Sequence, residues 1–341
     1  MIRSPSRTEQ PERLQFERLF GPVSGKRVAV LGIGGGGDAV STVPLVLELE
    51  RLGAVAIPGG LTWKRREHDP ERRPRAVHEF RNLRQLAPSV GIGRREMVTV
   101  DGVRHVEAHI AQALGDREVL VIDPSQGSAA VLRDLKTASK ELGIDLIIGV
   151  DVGGDVLCMG HETSLESPLC DQTLLHALAG LNSPLVLASL GTDGEIQPDD
   201  FIARFSQLCA SSAFLGALDP ADDDLDPWEA VLRGANTESS RFAVVVRRGL
   251  HPARLAELRA RLASEPVSAA QEILARASTL PLRGGGRTGH LSELTAFFLV
   301  FDSRAVWESG GFSKFWRPDA TIREMHQELV ERGIKTEFGE S

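Results

Sequence analysis

The chain has 341 residues, of which 42% are hydrophobic and 25% charged, a balance typical of a folded globular protein and not of a disordered one. The formal net charge of −8 argues against a nucleic-acid polymer as partner, because phosphate contacts need a basic surface. No apolar run reaches the roughly 18 residues that cross a bilayer, and the three cysteines include no C-x-x-C pair, which predicts a cytoplasmic protein without a membrane partner.

The chain begins with a polar arm over residues 1–25, and a βαβ unit follows it. Lys26–Ile33 is a short, β-branched apolar run that reaches glycine, as a buried parallel strand does. The apolar spacing in Asp38–Leu52 suits a helix, and Ala54–Ile57 follows as a second strand. A strand, a helix and a strand in this order predict two parallel strands joined by a crossover helix.

The same alternation recurs further along the chain. Strands are predicted at Glu118–Ile122, Ile144–Val150 and Pro184–Leu190, and helices at Ser128–Leu142 and Cys170–Leu181. Alternation at this spacing predicts an α/β fold, a doubly wound and mostly parallel sheet with helices on both faces.

Two regions depart from this alternation. Met97–Val106 predicts a hairpin or an edge strand. Residues 199–280 predict a mostly helical insertion, in which the acidic stretch Asp219–Asp226 is expected to be a solvated loop. Glu293–Asp302 then returns as a strand, so we expect residues 26–341 to form a single α/β domain.

A glycine-rich loop, GIGGGGD at residues 32–38, lies between the first predicted strand and helix. Glycines let a ligand approach the backbone, and free N–H groups at a helix start attract anionic groups. The glycines predicted to bind a ligand are Gly34, Gly35, Gly36 and Gly37. Asp38 could hold Mg²⁺, accept hydrogen bonds from sugar hydroxyls, pair with a cationic group, or simply cap the helix.

The loop fits G-x-G-x-x-G formally, but a dinucleotide-binding fold also needs an acid at the end of the second strand, where this chain has Pro58-Gly59-Gly60. Asp38 stands where a P-loop needs its Lys-Ser/Thr pair. The loop also resembles the first glycine loop of the tubulin family, without that family's second glycine-threonine box. The sequence therefore gives no firm support for a nicotinamide or flavin cofactor.

A second loop repeats the pattern, since Gly149–Asp155 follows an apolar strand and again ends in Gly-Gly-Asp. The ends of parallel strands form the ligand crevice, so we expect the acids at strand ends to share one site, although Asp is also common in ordinary turns. These acids are Asp38, Asp123, Asp151, Asp155 and Asp193. Gly153 and Gly154 are predicted to contact the ligand. Asp151 and Asp155 are predicted to hold Mg²⁺ or Mn²⁺, because oxygen ligands favour these ions.

Further candidate groups follow these loops. His161 and Glu162, just beyond the second loop, are candidates for moving a proton, with an ordinary surface loop as the alternative. Trp63 and Arg65 follow the second strand, where they could stack on a ring or clamp an anion, although a charge run is usually a solvated face. Arg287, in a late glycine loop, is a second candidate contact for an anion.

Three segments carry a resemblance to a known family, namely GIGGGGDAVSTVPL, GLTWKRREHDPERRPRA and GVDVGGDVLCMGHETSLESPLCDQ. In this order they resemble an archaeal and actinobacterial family known as domain of unknown function 1152, over about Arg27 to Asp193. The resemblance implies no particular activity. The positions that match the family's motifs are Gly34–Asp38, Trp63, Arg65, Asp69, Asp151, Gly153–Asp155, Glu162 and Ser167–Pro168. The run that begins at Arg287 departs from the more Thr-rich run expected there.

Together these features predict a metal-assisted enzyme that acts by hydrolysis or group transfer on a nucleotide, nucleoside or sugar-phosphate-like small molecule. The glycine loops would hold its anionic part, Asp151 and Asp155 the metal, and His161, Glu162 or Asp155 would move the proton. Two alternatives stay open: a nicotinamide- or flavin-dependent oxidoreductase, and a noncatalytic nucleotide-binding sensor or assembly protein. The substrate, and whether the chain forms a homo-oligomer, are left open.

Overall fold

A computed structural model of the protein describes residues 9–63, 69, 71, 73–235, 237–282 and 288–338. The strands in these ranges are β1 (Arg27–Gly32), β2 (Val55–Leu61), β3 (Phe80–Ala87), β4 (Val90–Thr99), β5 (Val119–Ile122), β6 (Leu146–Val152), β7 (Pro184–Ala188), β8 (Phe214–Leu218), β9 (Ser278–Pro281), β10 (Thr288–Leu291) and β11 (Phe298–Asp302). The α-helices are α1 (Glu9–Phe20), α2 (Gly36–Arg51), α3 (Val106–Ala113), α4 (Ser128–Leu142), α5 (Pro168–Leu181), α6 (Pro198–Ala210), α7 (Asp222–Ala235), α8 (Ser239–Gly249), α9 (Pro252–Ser264), α10 (Pro266–Leu274), α11 (Ser303–Glu308) and α12 (Ile322–Glu331).

Nine of the strands form one sheet, in the order β3-β4-β5-β2-β1-β6-β7-β11-β8. The central five, from β5 to β7, run parallel, and helices pack on both faces, so the predicted doubly wound α/β fold is confirmed. Antiparallel strands extend the sheet at both ends, β4 and β3 beyond β5, and β11 and β8 beyond β7. Among the described residues, no helix is both long and apolar enough to cross a membrane.

The central strands are buried on both faces, which explains why they read as continuous apolar runs. In β1, Val28 and Val30 belong to the core layer that includes α2, α3 and α7. Ala29 and Leu31 belong to the layer on the other face, with α4 and α5. Because side chains alternate between the faces of a strand, β1 needs an apolar residue at every position to complete both layers.

The edge beyond β5 is a hairpin that the sequence predicts only in part. β3 and β4 pair antiparallel, with Phe80 opposite Thr99, and α3 begins at Val106. The predicted hairpin or edge strand at Met97–Val106 therefore lies too far along the chain. Half of the residues of β3 are exposed, so it lacks the apolar run by which a buried strand is recognised.

Residues 199–280 are mostly helical, and β8 within them pairs with β11 of the main sheet. The predicted solvated loop at Asp219–Asp226 is wrong, because α7 begins at Asp222 and Asp224 is buried. The Asp224 carboxylate accepts hydrogen bonds of 2.6 and 2.5 Å from Arg51 on α2. Acidic residues suit the positive end of a helix, so the acidic run starts a helix here instead of forming a loop.

The order of the strands places a crevice at the middle of the sheet. The chain leaves β1 toward β2 on one side and later adds β6 and β7 on the other side. Such a reversal opens a crevice beyond the carboxyl ends of the two central strands, here β1 and β6. Just past β1, the N–H of Ile33 donates to the carbonyl of Val150 at 3.0 Å, which keeps the two loops together. The loops after β1, β6 and β7 therefore meet at one place.

Candidate functional site

Six carboxyl groups lie where these loops meet. They are Asp38 in the first turn of α2, Asp151 in β6, Asp155 in the 3-10 turn after β6, Asp171 in the first turn of α5, and Asp193 and Glu195 in the loop after β7. Four of them are acids that the sequence predicts at strand ends, and their carboxyl groups interact electrostatically with one another. Asp171 and Glu195 are additions that the sequence analysis did not select.

The six groups form two sets of three. Within each set, one oxygen of every carboxyl group lies within 4.8 Å of the other two. The first trio is Asp38, Asp151 and Asp171, and the second trio is Asp155, Asp193 and Glu195. Asp151 connects the two trios, since it lies within hydrogen-bonding range of both Asp171 and Asp155.

Asp151 has the most unusual surroundings of the six. Its side chain is fully buried, and no N–H or hydroxyl group of the described residues donates to either of its oxygens. Burial raises its pKa well above the ordinary value, and the nearby carboxylates of Asp171 and Asp193 raise it further. A buried carboxylate without donors needs either a proton or a cation, because its desolvation is otherwise uncompensated.

The neighbours of Asp151 share this condition. Burial raises the pKa of Asp38, and the charge of Asp151 adds to the shift. Burial also raises the pKa of Asp155, and repulsion from Asp171 adds to that shift. Burial likewise raises the pKa of Asp171, and repulsion from Asp38 adds to it. Like charges this close cannot all be ionised in a dry site, so some of these carboxyl groups must be protonated unless a cation is bound.

Two glycines let the carboxyl groups come this close. The N–H of Gly34 donates to Oδ2 of Asp38 at 2.5 Å, and a Cβ on Gly34 would overlap Asp171. Gly153 has a φ of +104°, and a Cβ there would overlap the carboxylate of Asp193. Both positions therefore need glycine, here to admit the protein's own acids instead of a ligand.

The second trio is held in place by the chain around it. The N–H of Glu195 donates to Oδ1 of Asp193 at 2.9 Å. Oε2 of Glu195 accepts the N–H groups of Glu166 and Ser167 at 2.8 and 2.7 Å, and Oε1 accepts the Ser167 hydroxyl at 2.5 Å. These bonds fix the start of α5 against the loop after β7, so that Asp171 in the first turn of α5 points into the group.

One signal in the sequence could have identified Asp171. Pro168 favours the first turn of a helix, so the helix that the sequence predicts from Cys170 is expected to begin there. An acid three residues after that proline then lies in the first turn, directly above the strand ends. Glu195 carries no such signal, because its position depends on the path of the loop after β7.

The predicted proton-transfer pair, His161 and Glu162, is not part of this group. His161 is exposed. The carboxylate of Glu162 accepts the N–H groups of Met159, Gly160 and His161 at 2.7 to 3.0 Å, which closes a local turn. The structure therefore assigns Glu162 to the backbone of its loop and gives His161 no contact with the acids.

Asp123 also lies apart from the group. It follows β5, which is separated from β1 by β2. Its Oδ1 accepts the N–H of Ser125 at 2.8 Å, and its own N–H donates to the carbonyl of Ser89. It is a turn acceptor at the same edge of the sheet, so the expectation that all five acids converge is wrong for this residue.

A buried ion-pair network supports the segment after β2. Arg75 donates to both oxygens of Asp69 at 2.7 Å, and to Asp101 at the same distance. Asp69 and Arg75 are 0% and 2% exposed. Burial is the largest influence on Asp69 and opposes its ionisation, but the hydrogen bonds from Arg75 and from the N–H of Glu71, together with the charges of Arg75 and His105, lower its pKa below the usual value. Asp69, which matches a motif of the resembled family, thus has a structural role in this chain.

Trp63, which the sequence predicts as a ligand-binding residue, lies beside the glycine loop. Its ring is 6% exposed and would be 3.6 Å from a Cβ on Gly35. The indole N–H has no acceptor among the described residues. Arg65 and Arg287, the two predicted anion contacts, lie outside the described residues.

The C-terminal segment closes the same region. Glu337 accepts the N–H groups of Leu169 and Cys170, in the first turn of α5, at 3.1 and 2.6 Å. Burial raises its pKa to about 7. The next residue, Phe338, packs edge-on against Trp63 with 6.1 Å between the ring centroids. This segment therefore contacts both the helix that carries Asp171 and the ring beside the glycine loop.

The glycine loop itself is only partly open. Gly34 is buried against two carboxyl groups, whereas Gly35, Gly36 and Gly37 are half-buried. A dinucleotide site needs its central glycine free for a pyrophosphate, and Gly34 faces acids instead. The end of β2 is followed by Thr62 and not by an acid. The geometry thus gives the oxidoreductase alternative no support.

Residues 29–274 match the model of a family described as "Protein of unknown function (DUF1152)". The match covers well over half of the chain and includes all six acids of the two trios. Searches of curated proteins and of solved structures gave no match. The resemblance that the sequence motifs predict is therefore confirmed, and the chain belongs to the DUF1152 family.

Proposed function

We propose that this protein is a divalent-cation-dependent enzyme that acts by hydrolysis or group transfer on a small molecule of the nucleotide, nucleoside or sugar-phosphate class, in the cytoplasm. Mg²⁺ or Mn²⁺ is the expected cation, because sites built only from oxygen ligands favour these ions over zinc.

The observation that carries the proposal is the environment of Asp151. A fully buried carboxyl group that receives no hydrogen bond from an N–H or hydroxyl group, with two further acids within 4.8 Å, is unfavourable for folding when it is ionised. Acids that serve only as helix caps would be expected to face N–H groups, as Asp38 partly does. A divalent cation bound by Asp38, Asp151 and Asp171 would compensate for the burial of all three.

The substrate class follows from the groups around the acids. The N-terminus of α2 points to the crevice, where the positive end of the helix favours an anion. At α5 the N–H groups of Leu169 and Cys170 already donate to Glu337, so that helix adds only the attraction of its dipole. Trp63 adds an apolar ring with an unsatisfied N–H, suited to a sugar or a base. An anionic group joined to a polar ring system, as in a nucleotide or a sugar phosphate, would use all of these features.

A bound cation would supply charge stabilisation for a phosphoryl oxygen and lower the pKa of a bound water. Asp38 and Asp171 would orient the substrate through that ion. Asp155, whose pKa burial raises, is suited to exchange a proton. In a hydrolysis the water oxygen bonds to phosphorus, the P–O bond to the leaving group breaks, and Asp155 passes the proton from water to the leaving oxygen.

The test is turnover by the full-length protein with a panel of nucleoside phosphates and sugar phosphates, with Mg²⁺, Mn²⁺ or a chelator. We expect cation-dependent release of phosphate or of the transferred group, with a loss of at least about 100-fold in Asp151→Asn. Asp123→Asn is the matched control, because it removes a strand-end acid outside the trios.

Each outcome of that test separates the candidate functions. Cation binding without turnover on any member of the panel would favour the noncatalytic sensor. Turnover that survives both the chelator and Asp151→Asn would overturn the proposal.

A further inference from the structure

We infer that the crevice is a two-cation centre, in which Asp151 is the carboxylate shared by both ions. The inference rests on the proposed function, because it describes the form of the same site. It adds a second cation, held by the second trio, and a bridging role for one named residue.

The position of Asp151 is the first argument. It belongs to the first trio and is within hydrogen-bonding range of Asp155 in the second trio. Neither of its oxygens receives a hydrogen bond from an N–H or hydroxyl group of the described residues, so each is available to an ion once the neighbouring acids are ionised. A carboxylate with only one ion to bind would leave its other oxygen buried and unsatisfied, and that cost is avoided when each oxygen meets its own cation.

The second trio is the second argument, because its geometry is fixed before any ion binds. Three hydrogen bonds from the start of α5 hold the carboxylate of Glu195, and the N–H of Glu195 in turn holds Asp193. Gly153 leaves room for Asp193 only because it has no side chain. Oε2 of Glu195 is used by two N–H groups, whereas Oε1 accepts only the Ser167 hydroxyl and Oδ1 of Asp193 accepts only the N–H of Glu195, so each of these two oxygens keeps a lone pair for a metal.

Charge is the third argument. Within the described chain, Asp38, Asp151, Asp155 and Asp171 are buried and form no ion pair with Lys or Arg. One divalent cation offsets two negative charges, whereas two offset all four of these. Carboxylates in a dry site must be neutralised, so the four together favour two ions over one.

A pair of cations also narrows the substrate class. Two ions held side by side can contact the attacking oxygen and the leaving oxygen of one phosphoryl group, which a substrate without phosphate cannot exploit. The site therefore fits a phosphate ester or anhydride better than a free nucleoside.

The experiment is a count of Mn²⁺ ions per chain, by equilibrium dialysis of the full-length, chelator-treated protein, together with electron paramagnetic resonance of the bound Mn²⁺. We expect two ions in the wild type, with the spectrum of a coupled pair. Asp38→Asn and Asp193→Asn should each retain one ion and show an uncoupled spectrum. Asp123→Asn should retain two coupled ions.

The outcomes separate this inference from the proposed function. One ion per chain in the wild type overturns the two-cation centre and leaves a single-cation enzyme. No bound ion overturns both. Two ions without coupling, or the loss of both ions in Asp193→Asn while its circular dichroism stays unchanged, would show that Asp151 does not bridge two separate sites. The count in Asp38→Asn and Asp193→Asn decides the question even if Asp151→Asn fails to fold.

Discussion

Gly34 and Asp171, far apart in the chain, lie in direct contact at the crevice. A Cβ on Gly34 would overlap Oδ1 of Asp171 and come within 2.6 Å of Oδ2 of Asp38. Gly34 therefore lies between two acids, Asp38 at the start of α2 and Asp171 at the start of α5, and the loop after β1 packs against α5 at this point. The sequence predicts this glycine as a ligand contact, whereas the structure uses it to bring two carboxyl groups to one place.

The contact predicts that Gly34→Ala weakens both cation binding and the fold. The added carbon must push Asp38 and Asp171 apart, so we expect Mn²⁺ affinity to fall by about tenfold or more, with about 1–3 kcal/mol lost from the free energy of unfolding. The matched control is Gly37→Ala, whose Cβ would meet nothing closer than 3.4 Å. Alanine suits that helical position, so unchanged or slightly higher stability and normal affinity are expected. Equal losses in both variants would contradict the prediction.

Asp155→Asn is expected to separate ligand binding from stability. The residue is buried among acids, so the amide removes repulsion while keeping the shape of the side chain. We expect the thermal midpoint of the cation-free protein to stay the same or rise at pH 8, and the increase caused by Mg²⁺ to become smaller, because the second trio loses a ligand while the first trio keeps its three. Thermal unfolding with and without millimolar Mg²⁺ measures both. A large fall in the midpoint with an unchanged response to Mg²⁺ would assign Asp155 to structure.

The sequence predicts the part of the site that depends on strands. Asp38, Asp151 and Asp193 each follow a buried apolar run, and the rule that parallel strands end at one edge of the sheet brings them together. The same rule fails for Asp123, because the order of the strands along the sheet is not encoded in local patterns. β5 is predicted correctly as a strand, but only the fold shows that it lies two places from β1.

The remaining errors come from contacts that no local pattern reveals. Glu162 looks like a reactive acid beside a histidine, yet its carboxylate is used by three N–H groups of its own loop. Asp224 looks solvated within an acidic run, yet it is buried and its carboxylate accepts hydrogen bonds from Arg51 on α2, a helix far away in the sequence. In both cases the environment of the carboxylate, and not its neighbours in sequence, decides its role.

The buried acids also predict how the cation-free protein responds to pH. Asp38, Asp151, Asp155 and Asp171 have pKa values raised in the folded state, so this state binds more protons than the unfolded chain above their ordinary pKa. Their contribution to stability is therefore present at low pH and is lost as the pH rises. Acids with lowered values, such as Glu79 with a pKa of about 2, have completed their change below pH 5.

We accordingly expect the free energy of unfolding, measured with urea in the presence of a chelator, to fall between pH 5 and pH 8. Added Mg²⁺ should stabilise the protein more at pH 8 than at pH 5, because the cation must displace the protons. Combined Asp151→Asn and Asp171→Asn should flatten the profile. A cation-free profile that rises over this range would show that the acids are paired in a way that the geometry does not indicate.

The Asp69–Arg75 pair predicts a large and specific loss of stability. Asp69→Ala leaves the guanidinium of a 2% exposed arginine without its main partner, at a cost of about 3–5 kcal/mol. The exposed pair Arg84–Glu141 is the control, and Arg84→Ala should cost less than about 1 kcal/mol. Urea unfolding of the two variants compares them. If the costs were equal, the buried network would not be what holds the segment after β2.

The last prediction concerns Glu337, which accepts two N–H groups at the start of α5 and has a pKa raised to about 7 by burial. Its ordinary pKa is 4.5, so the folded state takes up a proton here between about pH 4.5 and pH 7. Stability from this group is present at the acidic end of that window and is lost as the pH rises through 7. Glu337 faces two titratable groups on α5, Cys170 and Asp171. The negative charge of Glu337 raises the pKa of both and so disfavours their ionised forms.

Glu337→Gln keeps an oxygen that can accept one of the two N–H groups and removes the charge. We expect the variant to be more stable than the wild type at pH 8 and similar to it at pH 5, where Glu337 is protonated. Glu331→Gln, at an exposed position on the C-terminal end of α12, is the matched control and should follow the wild type across the range. Urea unfolding at pH 5, 6, 7 and 8, with the chelator present, measures the three profiles. The contrary outcome is that Glu337→Gln and the wild type lose the same amount of stability between pH 5 and pH 8. That result would show that the carboxylate stays ionised and serves as an ordinary helix cap.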